Sequence, residues 1–278
     1  MQNPSQWNRD ELLDSPFFEP LYPVLRQLDQ HAFPTRHTLN TLLAGYGNIT
    51  TLSDKPLHFV AQATGKLAFE AQYEPRCFLT GEVQTRDDNL HDLFNALVWL
   101  TFPHSKAAIN ALHYRALTHP DLPLQTQRGK VRDHATLLDE SGVIVAYADP
   151  HLKELLCDFK WKELFWTQRE QLKKSMGFYI FGHGLYEKAM HPYIGFTGQG
   201  LCIKVENEFF TWPLEKRLAH VDAKVAEYLD ATNKIVLNQC ITPVPLLGIP
   251  GWDNANRKEA YYENQHYFRP GRNKSSLY

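Results

Sequence analysis

From Leu90 to Leu100 the apolar positions Leu90, Leu93, Phe94, Leu97, Val98 and Leu100 return every three or four residues, the spacing that places side chains along one side of an α-helix. Asp88 or Asn89 just ahead offers a side-chain oxygen to the unpaired N–H groups of the first turn. Pro103 has no backbone N–H, so it ends this helix and suits the first position of a second, in which Ala107, Ala108, Ile109, Ala111, Leu112, Ala116 and Leu117 are the helix formers. The stretch Thr85–His119 therefore predicts two consecutive helices at the centre of the fold.

Ahead of this pair, short helices are expected near Leu21–Gln30 and Thr38–Leu43, packed down by Phe17, Phe18, Leu21 and Tyr22 and broken at Gly45 and Gly47. His58–Gln62 and Leu67–Tyr73, divided by Thr64 and Gly65, predict a hairpin, and Cys77–Gly81 a further extended piece. Beyond the pair, Ala135–Asp139 and Val143–Ala148 around Ser141 and Gly142 predict a second hairpin. Pro150 then opens a helical stretch carrying Leu152, Leu155, Leu156 and Phe159, with the crowded Trp161, Leu164, Phe165 and Trp166 read as core. Phe178–Phe181 leads into a helix-compatible segment stopped by Pro192, a strand is expected near Leu201, and Pro213 opens an amphipathic helix on Leu214, Leu218, Val221, Val225 and Leu229. The remainder is rich in Pro, Gly and aromatics and predicts an extended arm anchored by Trp252, Tyr261, Tyr262 and Phe268. The expected class is α+β: a mostly helical single globular domain with short antiparallel hairpins and an extended C-terminal arm. Residues 1–55 form its helical opening, 56–200 the core and 201–278 the amphipathic helix and arm.

Composition narrows the function classes. Hydrophobic residues at 43% and charged residues at 22% describe a folded chain and not a disordered one. The formal net charge of -2 gives no global basicity for nucleic acid, which leaves only a local patch as a route to RNA or DNA. No apolar run approaches the roughly 20 residues of a membrane helix, and the polar, acidic opening lacks a signal-peptide core, so no membrane partner and a cytoplasmic location are expected. Cys77, Cys157, Cys202 and Cys240 stand singly without CxxC spacing, which argues against a zinc ribbon or a disulfide framework and reads as reduced packing residues. There is no GxSxG elbow, Walker loop or GxGxxG turn, so covalent serine chemistry and nucleotide cofactors fall away.

What remains is polar residues suited to metal or acid-base chemistry. His91 and Asn95, four apart, share one face of the first central helix with Asp92 close by, and His113 sits on the second. Buried imidazoles and amides are costly unless satisfied, so they either line a site or lock elements together. His183 and Glu187 have the i, i+4 spacing at which both can serve one metal or one proton, and the flanking Gly182 and Gly184 admit close approach of a ligand or of another backbone. The second His of an HExxH pair is missing. Asp139 and Glu140 beside Gly142 meet ordinary turn demands, whereas Asp133 is not explained by the turn and is the better acid candidate; Arg132 is either its partner or an anion fork. The catalytic candidates are thus His91, Asp133, His183 and Glu187; the binding candidates Asn95, Arg132, His113 and Asp92; and the metal candidates His183, Glu187 and His91, for a divalent ion.

The segments NLHDLFNALVWLTFP, RGKVRDHATLLDESGVI, FGHGLYEK and LLGIPGW, in this order, resemble the bacterial domain-of-unknown-function family numbered 3025, from the central helix pair to Arg269–Arg272. The resemblance implies a bacterial, cytosolic protein and brings no reaction, cofactor or catalytic residue with it. On the residues alone, the leading expectation is a hydrolase acting on a small polar or phosphate-containing substrate, its water activated directly or through a divalent ion. The contrasting expectation is a binding protein for RNA or a partner protein, in which the same residues brace the core. Convergence of His91, His183 and Asp133 around a cleft would separate the two. Oligomeric state is not legible.

Overall fold

The computed structural model describes residues 7–118, 125–231 and 241–271, with the side chains of residues 125–132 and 231 outside the description. In chain order the helices are α1 (Arg9–Leu13), α2 (Tyr22–Leu25), α3 (Arg36–Gly45), α4 (Tyr73–Thr80), α5 (Leu90–Thr101), α6 (Pro103–Thr118), α7 (Gln125–Ser141), α8 (Pro150–Cys157), α9 (Arg169–Ser175), α10 (His183–Ala189) and α11 (Leu214–Ala231). The strands are β1 (His58–Val60), β2 (Glu82–Gln84), β3 (Gly142–Tyr147), β4 (Met176–Ile180), β5 (Thr197–Lys204) and β6 (Ile241–Pro245). The fold is α+β and mostly helical, as the sequence predicts.

The central pair forms where expected. In α5 the stripe from Leu90 to Leu100 is buried, Asn89 caps the first turn by accepting from the Asp92 N–H at 2.9 Å, and the chain turns at Phe102 into α6. A remote carboxylate caps α6: Asp222 of α11 accepts from the N–H groups of His104 at 3.0 Å and Ser105 at 2.7 Å, which fixes α11 against α6. α11 buries the predicted Leu218, Val221, Val225 and Leu229.

Both predicted hairpins are replaced. The segment Ala135–Asp139 belongs to α7, because Ala135 and Leu138, three apart, are the buried positions while Leu137 between them is exposed. α7 runs directly into β3 without a reversing turn, and Gly142 at the junction is required by packing: a Cβ there would sit 2.4 Å from the Leu138 carbonyl oxygen. The first hairpin is absent because β1 pairs in parallel with β2, across a crossover that includes α4, in place of Leu67–Tyr73. Asn40 occupies the other edge of β1, exchanging two 2.9 Å hydrogen bonds with the Phe59 backbone as a neighbouring strand would. Cys77–Gly81, expected to be extended, is the end of α4, which stops at Gly81 in the left-handed region at φ +78.

The larger sheet has the order β4-β3-β5-β6, with β3 and β5 parallel inside and antiparallel neighbours at both edges. Its buried residues join one apolar cluster that extends through α5, α6, α10 and the segment Pro16–Leu21. The C-terminal arm is anchored much as predicted: Tyr262 and Phe268 are buried, Trp252 and Tyr261 pack against the cluster, and the Tyr267 hydroxyl donates to the Phe196 carbonyl at 2.6 Å. Trp161 and Phe165 are core, as expected of the aromatic crowding. Among the described residues no helix is long and apolar enough to cross a membrane.

Candidate metal centre

Three helices bring their ends together at one point. His91 is the second residue of α5, His183 the first of α10 as the chain leaves β4, and Glu140 the penultimate residue of α7. Their approach depends on the glycines around His183. A Cβ at Gly182 would lie 2.5 Å from the backbone nitrogens of Ser141 and Gly142, and one at Gly184 would lie 2.6 Å from Glu140 Oε2. The close-packing role and the site role weighed for these glycines are therefore one and the same.

His91 Nε2 and His183 Nε2 face each other at 3.1 Å, while Glu140 Oε1 stands 3.5 Å from His183 Nε2 and 3.9 Å from His91 Nε2. The opposite nitrogens both face acids: His91 Nδ1 is 3.2 Å from Glu187 Oε2, and His183 Nδ1 is 3.6 Å from Asp139 Oδ2. A carboxylate that accepts from Nδ1 keeps the imidazole proton there and turns the Nε2 lone pair outward; Glu187 is within hydrogen-bond distance of His91 Nδ1, whereas the buried His183 Nδ1 has no hydrogen-bond partner among the described residues. Two imidazole nitrogens and a carboxylate oxygen thus converge, and which of them carries a proton depends on the tautomer of each ring. Three points separated by 3.1, 3.5 and 3.9 Å lie on a circle of radius about 2.1 Å, so an ion just off their plane would stand about 2.2 Å from each, close to zinc–nitrogen and zinc–oxygen bond lengths. Among the described residues, these three form the one His, Cys, Asp and Glu group whose ligand atoms gather this closely.

Further ionised groups surround these three side chains. The buried Lys106 ammonium donates to Asp139 and, at 2.8 Å, to Asn95 Oδ1. Burial alone would raise the Asp139 carboxyl, but Lys106 and then His183 outweigh it and hold the group below its usual range. A hydrogen bond with His183 likewise holds the Glu140 carboxyl low despite partial burial. Asn95 Nδ2 donates to the Tyr73 hydroxyl at 2.6 Å, and burial pushes that phenol well up, so it stays protonated.

A cavity of about 270 Å³ opens beside the cluster, its wall including Gln62, Tyr73, Gln84, Arg86, Asn95 and Thr136. Arg86 grips Asp92 with two guanidinium hydrogen bonds at 2.8 and 2.9 Å, and its N–H adds a third at 2.8 Å. Burial would raise the Asp92 carboxyl, yet these bonds keep it below its ordinary value. At the inner end, burial raises the Glu74 carboxyl, which accepts from Asn110 at 2.6 Å, with His113 beside it.

Of the residues singled out in the sequence, His91, His183 and Glu187 meet, while Asn95, Asp92 and His113 line the cavity wall. Glu187 reaches the far nitrogen of His91, and it is Glu140, not Glu187, that stands beside the facing Nε2 atoms. Asp133 is an exposed residue of α7 seven positions before Glu140, about 10 Å along the helix, and takes no part in the cluster. The Arg132 side chain lies outside the described residues. Lys106, Tyr73 and Glu74 went unnoticed, although Lys106, Asn110 and His113 recur at helical spacing with the buried Ile109, a stripe where polar side chains need a reason.

No curated protein and no solved structure matches the chain. The family described as "Protein of unknown function (DUF3025)" matches residues 57–272, a span that contains His91, Glu140 and His183 together with Asp139 and Glu187. The match covers well over half of the sequence, and the chain belongs to this family.

Proposed function

We propose that the protein is a metal-dependent hydrolase of small polar substrates, with a divalent ion held by His91, His183 and Glu140. The observation that carries the reading is the meeting of two imidazole nitrogens 3.1 Å apart with a carboxylate oxygen 3.5 and 3.9 Å from them. Two nitrogens and one oxygen favour a transition-series ion over magnesium. Two histidines and a carboxylate serve both hydrolytic zinc and oxidative iron(II), and spacing separates them. Ligands about 2.1 Å from a tetrahedral ion stand about 3.4 Å apart, against about 3.0 Å for neighbours around an octahedral one. The observed 3.1, 3.5 and 3.9 Å average about 3.5 Å, which supports tetrahedral zinc.

A divalent ion held by His91, His183 and Glu140 would have an open position and would supply Lewis acidity toward water and a substrate carbonyl there. Asp139 and Glu187 orient the imidazoles from behind. Tyr73 accepts from Asn95, which leaves its own O–H to donate toward a bound oxygen. The cations near the cavity are committed, Arg86 to Asp92 and Lys106 to Asp139, while Glu74 lines its inner end. That balance favours a neutral or cationic substrate, an amide or carboxylic ester, over a phosphate ester.

Elemental mass spectrometry on untagged protein, dialysed with and without zinc, tests the reading alongside Glu140→Gln and His183→Ala. We expect about one zinc per chain in the wild type, little in either variant, and zinc-dependent release of nitrophenol or nitroaniline from ester or anilide probes but not from p-nitrophenyl phosphate. Wild-type protein that retains no metal after zinc dialysis would leave a proton-bridged histidine pair and refute the proposal. Iron in place of zinc would redirect it to oxidative chemistry.

A further inference from the structure

Far along the chain from this centre, two of the cysteines set aside as packing residues come together. Cys157 is the last residue of α8, and Cys202 lies in β5 opposite Val145 of β3. α8 packs against both β3 and β6, the two strands that flank β5, so it crosses the strand carrying Cys202. The Cys202 thiol is hydrogen-bonded to the Cys157 sulfur, and Lys153, one turn earlier on α8, adds its charge and a hydrogen bond. Cys157 and Cys202 are both half-buried and free of any disulfide, whereas Cys77 is fully buried. Both conditions of thiol reactivity, a stabilised thiolate and access, are thereby met at one place.

We propose that Cys157 and Cys202 form an oxidisable dithiol whose reactant is a hydroperoxide, with Cys157 as the attacking and Cys202 as the resolving sulfur. The hydrogen bond from Cys202, then, against partial burial, the Lys153 ammonium, bring the Cys157 thiol down to about 6, so it is largely thiolate near neutral pH. Burial drives the Cys77 thiol well above its ordinary value, which makes it an internal control. In the first step the Cys157 thiolate attacks one peroxide oxygen: an S–O bond forms, the O–O bond breaks, and the departing hydroxide takes a proton from solvent, leaving a sulfenic acid. In the second, the Cys202 sulfur attacks the Cys157 sulfur: the S–S bond forms, the S–O bond breaks, and the hydroxyl leaves as water with the Cys202 proton. Two thiols are oxidised and one hydrogen peroxide is reduced to two waters. The product staples the end of α8 to the middle of the sheet.

The test is a non-reducing tryptic digest of the full-length protein after treatment with hydrogen peroxide and removal of the excess. We expect residues 154–160 linked to residues 189–204 at a mass two hydrogens below the sum of the reduced peptides, with Cys77 still open to alkylation after denaturation. Cys202→Ser should hold Cys157 as a sulfenic acid captured by dimedone, and Cys157→Ser should leave Cys202 reduced. A wild-type protein in which Cys157 stays reduced while glutathione in the same tube is oxidised would overturn the proposal. So would a Cys157 sulfenic acid that persists unlinked in the wild type, or a link from Cys157 to Cys240 in place of Cys202.

Discussion

Replacing carboxylates one at a time by their amides should grade zinc affinity according to what each one touches. Glu140 Oε1 is the proposed ligand, Glu187 touches only the far nitrogen of His91, and Asp133 lies about two turns away along α7. Removing an outer carboxylate that orients a ligating histidine costs 10- to 100-fold in affinity as a rule, so Glu187→Gln is expected within that range, about 1.4 to 2.8 kcal/mol. Glu140→Gln keeps the side-chain shape but replaces an anionic ligand atom by a weak neutral one. Its loss must exceed the outer-contact range, and so exceed about 100-fold or about 2.8 kcal/mol. Asp133→Asn should leave affinity unchanged. Competition against a chromogenic zinc chelator at fixed pH reads all three on one scale, with near-ultraviolet circular dichroism confirming that each variant is folded. The reasoning fails if Glu187→Gln weakens zinc more than Glu140→Gln, since the ligand assignment would then be reversed. It fails equally if Asp133→Asn weakens zinc as much as either.

Lys106→Met removes the cation from a buried pair and should destabilise by about 3–5 kcal/mol in urea unfolding, with much of the loss recovered on adding Asp139→Asn; strictly additive costs would refute a coupled pair. Gly184→Ala places a Cβ 2.6 Å from Glu140 Oε2 and 3.0 Å from the Glu140 backbone oxygen, so the end of α7 must shift along with the carboxylate; zinc affinity should fall at least tenfold with a lower unfolding midpoint, and unchanged affinity would contradict the close approach. Burial raises the Asp222 carboxyl above 3.8 even though Ser105 and His104 hydrogen-bond to it. A folded-state value above the unfolded one contributes stability that is fully present below about pH 4 and is lost as pH rises through the folded value. Urea midpoints should therefore fall across that window in the wild type more steeply than in Asp222→Asn, and parallel profiles would count against the assignment.

Much of the helical frame could be read locally, because Leu90 to Leu100, Pro103 and Leu214 to Leu229 carry period, cap and stop within one window. What escaped was set at a distance. The parallel pairings of β1 with β2 and of β3 with β5 join segments whose local patterns say nothing about their partners. Glu140 is hard to single out in the sequence for a definite reason: an acid beside Ser141 and Gly142 looks like turn chemistry, yet Gly142 is small because a helix packs straight into a strand there. Reading α7 as a strand hid the fact that Asp139 and Glu140 close a helix, where one acid turns inward to Lys106 and its neighbour reaches the histidines.

The convergence of His91 and His183 has a cause in the apolar residues beside them. Each histidine is followed three positions later by a ring, Phe94 in α5 and Tyr186 in α10, and these two rings stack at 5.7 Å with Phe18 packed against both. Phe94, Tyr186 and Phe18 are fully or almost fully buried, and the Tyr186 hydroxyl is tied to the Ile180 carbonyl at 2.6 Å, so the register of α10 against α5 is set by the core. One helical turn away, that same register holds the two imidazoles with centroids 4.5 Å apart. Sliding either helix to separate the nitrogens would break the aromatic packing, and side-chain rotation would break the contacts with Glu187 and Asp139. The core thus forces together two imidazole nitrogens, an approach that is favourable when a proton or a metal cation lies between them. That is the arrangement expected where the energy of packing is used to preorganise a cation site.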